Sequence, residues 1–230
     1  YISNKYQSAS QSNLQAMRKT ITAFILLSFA ISHINTVICG KHTVNDESNE
    51  AATYLERQPA KKQKADKLIV SKINLRFTVK GITFTMVHVE GGSFHMGSES
   101  NQDNEKPVHT VSLSDYHIGQ TEVTQALWTA VMGSNPSNNK GNNLPVDNVS
   151  WNDCIDFIKK LNAITGVPFR LPTEAEWEFA ARGGNASKGF VYSGSNDIDE
   201  VAWYAENSAD ATHPVAQKKA NELGLYDMSG

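Results

Sequence analysis

From Ile73 to His88 apolar side chains recur at every second position: Ile73, Leu75, Phe77 and Val79, then Ile82, Phe84, Met86 and His88, with Gly81 between the two runs. A period of two predicts a β-hairpin turning at Gly81. Phe94 and Met96 sit among Gly91, Gly92 and Gly97, which predicts a short strand between tight turns, and Val108 to Leu113 alternates again. Past Thr124 the period lengthens. Leu127, Trp128 and Val131 form one stripe of a helix from Gln125 to Met132, with Thr124 as cap and Gly133 as terminator. Trp151, Cys154, Ile155, Ile158 and Leu161 recur at helical spacing as a second buried stripe, opened by Ser150 and Asp153 in a capping box and closed at Gly166.

The run FRLPTEAEWEFAARGG, Phe169 to Gly184, is the most informative segment. Pro172 biases Leu171 to an extended backbone, Thr173 and Glu176 have the spacing of a capping box, and Glu174 suits the positive end of the helix. Arg182 suits the last turn, and Gly183 with Gly184 permits the left-handed exit. A β-rich first half followed by three helices predicts an α+β fold. Short apolar pieces follow, Phe190 to Tyr192 and Val201 to Tyr204, among many turn residues.

Upstream of the hairpin the pattern is different. Met17, Arg18 and Lys19 precede an apolar stretch from Ile21 to Ile34, which is the order of an export signal and is shorter than the ~20 residues of a membrane span. Residues 1–16 then read as an upstream segment, 17–40 as the signal, 41–70 as a polar linker and 71–230 as the folded domain. The mature chain is expected outside the cytoplasm (periplasmic, cell-surface or secreted) and without a transmembrane span. Lipid anchoring through Cys39 is the alternative to cleavage after Gly40. Loss of the signal would leave Cys154 as the only cysteine of the sequence given.

Composition adds mostly exclusions. Of 230 residues 40% are apolar and 20% charged, and the net charge of -3 argues against a nucleic-acid partner. The basic run Lys61, Lys62, Lys64 and Lys67 lacks interleaved aromatic residues and reads as solvated linker. His88, His95, His109, His117 and His213 show no metal-ligand spacing. Glu174, Glu176 and Glu178 read as helix-end electrostatics and a solvated face. GGSFHMG, from Gly91, lacks the lysine of a phosphate loop and reads as turn glycines. Asn207, Ser208 and Asp210 place oxygen donors at close spacing in a loop and are the candidate calcium ligands.

Five ordered segments carry a resemblance: MVHVEGGSFHMGS from Met86, EKPVHTVSLSDYHIGQTEVTQALWTAVMG from Glu105, LPVDNVSWNDCIDFIKKLN from Leu144, the run from Phe169, and GLYDMSG from Gly224. Together they resemble the formylglycine-generating enzyme family, the sulfatase-modifying factor domain. The resemblance implies a C-type-lectin-like fold with small sheets, about three helices and long ordered loops. Its enzymes oxidise a cysteine of a sulfatase to formylglycine with a copper-binding cysteine pair, which the resemblance implies lies beyond Gly230, with further strands that would cover Trp151 and Trp177. Cys154 aligns with ordinary small or apolar residues of the family, so no catalytic residue is assigned. Asn207 and the Ser208 backbone are similar to part of a family calcium site, with Asp210 as a substitute ligand. Non-catalytic members of the fold bind or assemble at surfaces, so the implied partners are a sulfatase, another exported protein or a glycan.

Overall fold

The computed structural model describes residues 28–30, 72–99 and 103–229. The upstream segment, the polar linker, Cys39, the basic lysine run and all of the export signal except residues 28–30 lie outside the described residues.

Among the described residues there are two sheets and four α-helices. Strands β1 (Ser28–Ala30), β2 (Leu75–Val79), β3 (Ile82–Val89) and β6 (Tyr116–Gly119) form an antiparallel sheet in the order β1-β6-β3-β2. Strands β4 (Ser93–Met96) and β5 (His109–Ser112) pair separately. The β2–β3 hairpin turns at Lys80 and Gly81, both at positive φ. β1 comes from within the apolar run read as an export signal, and its three residues pair with Tyr116 to Ile118 of β6. Strand β6 itself is not marked by alternation, because all four of its residues are buried.

Each long helix begins where its cap predicts. Thr124 caps α1 (Gln125–Met132), which ends on left-handed Gly133. Ser150 and Asp153 complete a reciprocal capping box on α2 (Trp151–Thr165), and Gly166 ends it. Thr173 and Glu176 form a second such box on α3 (Glu174–Ala181). A fourth, short helix, α4 (Ile198–Val201), falls where the sequence reads only as turn-rich chain.

Alternation along β3 places its side chains in two separate cores. Met86 joins Val79, Trp128, Phe157, Leu161 and Phe169 in the first, whose Trp128 and Phe157 rings stack with centroids 4.9 Å apart. Val87 and Val89 point the other way and join Tyr116, Ile118, Phe179, Leu225 and Met228 in the second. Two members of the expected α2 stripe, Trp151 and the half-buried Ile155, fall outside the first core. Trp151 is the first residue of α2 and is 61% exposed, while Phe157 takes the inward position. Trp177 is half-buried against the second core.

Candidate functional site

The motif from Phe169 to Gly184 is a junction of polar contacts around the second core. Glu176 is 8% exposed and accepts two hydrogen bonds from the Arg170 guanidinium, at 2.7 and 2.6 Å, and one from the Thr173 amide at 2.8 Å. Burial alone would raise its carboxyl, but the Arg170 and Thr173 bonds outweigh that and hold it below the usual carboxylate range. The Tyr116 hydroxyl of β6 donates to the Glu176 carbonyl at 2.6 Å, tying α3 to the sheet. Glu178 pairs with Arg182 and accepts the Gly97 amide at 3.0 Å, while Arg182 donates to the His95 and Gly97 carbonyls. The solvated face expected for Glu176 and Glu178 is therefore corrected. A carboxylate spacing of two gives no hint that one will find an arginine six residues upstream and the other a distant strand.

The glycines of GGSFHMG serve the same junction. A Cβ on Gly92 would collide with the Asn185 side chain just past α3, and Asn185 Nδ2 donates to the Gly91 carbonyl at 3.0 Å. That collision is with the end of a flexible side chain; the strict requirement for glycine is at Gly91, whose Cβ would run into the Leu113 carbonyl oxygen and lie 2.6 Å from the Ser114 backbone carbon. Asn221, which sequence reading does not single out, completes the clamp. Its buried amide donates to the Ala180 carbonyl at 2.8 Å and to Ser193 Oγ at 3.0 Å, and its oxygen accepts the Leu223 and Leu225 amides. The one available signal is its place three residues ahead of GLYDMSG.

The predicted ligand loop has a different character. Asn207 Oδ1 accepts the Tyr204 amide at 2.8 Å, and Asn207 Nδ2 donates to Asp199 Oδ1 and the Ala202 carbonyl, both at 3.1 Å. The Ser208 carbonyl accepts His213 Nε2 at 2.9 Å and the Ala211 amide at 3.1 Å. Asp210 is exposed with a left-handed backbone, φ 56°. A calcium ion in this loop would share the Asn207 and Ser208 oxygens with these internal donors. Beside the loop, His213 stacks on Trp203 with centroids 3.8 Å apart, and Lys218 lies over the same indole.

Among the histidines, β-pairing brings His88 and His117 side by side, ring centroids 5.3 Å apart, with Asp115 Oδ2 3.3 Å from His88 Nε2. His117 is fully buried, hydrogen-bonds the Ile73 carbonyl, and is pushed down to about 4, chiefly by that burial. Among the described residues no three His, Cys, Asp or Glu side chains are grouped to hold a metal ion. Cys154, the only cysteine among the described residues, is buried in the first core, its thiol pushed up to about 11 by burial and by the neighbouring Asp153 charge. A copper site of the kind the resemblance implies needs two accessible thiolates, and one buried thiol does not fit it.

Small antiparallel sheets, short capped helices and long loops fastened by buried side-chain bonds define the α+β fold of the formylglycine-generating type. The model of the sulfatase-modifying factor enzyme 1-like domain matches residues 77–230, and the chain belongs to that family. The chaperone protein LppX of Paenibacillus barcinonensis is 40% identical over 195 residues, covering 63% of this chain and 68% of its own. A formylglycine-generating enzyme of Streptomyces coelicolor is 28% identical over 212 residues, covering 63% and 65%. Treponema denticola variable protein 1 has a similar solved structure, with a TM-score of 0.61 at 33% identity, covering 67% of this chain and 72% of that one. The chain thus spans about two thirds of the length of the two relatives it matches in sequence.

Proposed function

We propose that this domain is a recognition or assembly module of an exported protein, binding another exported protein or a glycan through its loops, and that the residues given do not oxidise a sulfatase cysteine. The observation that carries the reading is the setting of Cys154. Its side chain lies in the first core at 5% exposure and stays protonated at neutral pH. It therefore cannot present a thiolate to a metal or a substrate. The motif residues that name the family support the same reading, because Glu176, Glu178, Arg182 and Asn221 are all engaged in joining elements of the fold. Two of the similar proteins are named a chaperone and a variable protein rather than an oxidase. Calcium belongs to this proposal as a brace for the loop of Asn207, Ser208 and Asp210, and export rests on the pattern from Met17 to Gly40.

The test is mass spectrometry of a sulfatase-motif peptide incubated with the full chain, copper(I), a thiol reductant and air. The expected result is unmodified peptide cysteine. Conversion to the aldehyde, lost on Cys154→Ala, would overturn the proposal.

A further inference from the structure

Two of the family motifs meet in a contact that the proposed function does not use. Glu122 stands between β6 and α1, is 8% exposed, and its Oε2 is buried with no hydrogen-bond partner. Asp227 of GLYDMSG comes within hydrogen-bonding reach of it. The two are brought together by backbone, since the Tyr226 amide donates to the Gln120 carbonyl at 3.0 Å and Gln120 Nε2 donates to the Gly224 carbonyl at 3.3 Å. Asp227 Oδ2 is already occupied, accepting the Ala216 amide at 2.7 Å, and Asp227 sits at φ 57° to do so. Two carboxylates therefore face one another, acceptor against acceptor. The charged group that acts on Glu122 is Asp227, and the ionisable group that acts on Asp227 is Glu122. The nearest lysine on the same stretch, Lys219, is committed to Glu200 at 2.9 Å.

A buried carboxylate held against a half-buried one does not stay ionised beside a second charge without a cation between them. We infer that Glu122 and Asp227 share one proton, and that this carboxyl–carboxylate bond is a pH-sensitive latch fastening the segment from Ala216 to Ser229 to the corner between β6 and α1. The proton resides on Glu122, the more buried partner, and is donated to Asp227, which keeps its Ala216 bond. Both carboxyls are raised above their ordinary range, in each case first by burial. The latch is independent of whether the domain binds or oxidises. Its release would loosen the segment in which Asn221 clamps the end of α3.

The sign follows from linkage. A carboxyl raised in the folded state holds a proton that the unfolded chain has lost, so stability falls as pH rises from the ordinary carboxylate range to the folded titration point. Across that window the unfolding equilibrium constant should rise by up to about tenfold per pH unit for the one shared proton. Glu122→Gln replaces the titrating donor with a permanent amide donor of the same shape. Denaturant unfolding of the full chain at successive pH values, variant against wild type, should show the variant losing this dependence, and subtraction cancels contributions such as that of His117. Parallel curves for the two proteins would overturn the latch. If Glu122→Gln does not fold, infrared spectra of the wild type decide: a protonated carboxylic acid band at neutral pH that disappears on raising pH supports it, and no such band overturns it. Millimolar calcium that stabilises the wild type at pH 8 but not Glu122→Gln would also overturn it, by showing a metal ion in place of the proton.

Discussion

The two cores of this domain are built on opposite principles although they share β3. The first, between the β2–β3 hairpin and helices α1 and α2, is a continuous apolar body centred on Phe157, Leu161 and the stacked Trp128. The second is smaller, and its surroundings are fastened by side-chain hydrogen bonds: Arg170 to Glu176, Tyr116 to the Glu176 carbonyl, and Asn221 to α3. Apolar packing is tolerant of exchange at equal volume, whereas a buried polar joint fails when one partner is removed and the other is left unpaired. This difference explains what the segment that best names the family, Phe169 to Gly184, does in the fold: its polar side chains Arg170, Glu176, Glu178 and Arg182 are the joint.

Breaking the first core should have the largest effect. Phe157→Ala removes a fully buried ring and should cost about 3–5 kcal/mol in denaturant unfolding. The polar joint is next. Arg170→Met should cost about 2 kcal/mol by leaving Glu176 buried and unpaired, a figure set below that for fully buried pairs because the Arg170 side chain is 38% exposed. The double variant Arg170→Met with Glu176→Met should recover most of that loss, and a cycle in which the two losses simply add would contradict the joint. Acid sharpens the same contrast. Glu176 is held below its ordinary range, so its contribution is present above the usual glutamate titration and is lost as pH falls through its lowered one, opposite in sign to Glu122. Thermal melts below pH 5 should show a steeper loss in the wild type than in the double variant. The smallest effect expected is that of Cys154→Ala, about 1 kcal/mol, with the wild-type thiol unreactive toward a disulfide reagent until the chain unfolds.

Much of the first core was legible in the sequence, because it is written in local code. The hairpin followed from a period of two, and α1 and α2 followed from Thr124 and Ser150 with their glycine stops. Trp151 misleads the helical stripe because the first residue of a helix projects beyond the neighbours that would cover it. The second core was less legible. Strand β6 is buried on both faces and so does not alternate, and the partners of Glu176, Glu178 and Asn221 depend on chain reversals that no short window records. For the candidate ligands, spacing identified a real loop at Asn207 and Ser208, but only the folded chain shows their oxygens already accepting hydrogen bonds from Tyr204, Ala211 and His213.

Native-state hydrogen exchange on Glu176→Gln tests the joint most directly. The account predicts lost amide protection in β6, α3 and residues 221–229, with protection in β2, α1 and α2 retained. A uniform loss across both cores would contradict it, since the motif would then be one more part of a single core rather than the fastening between two.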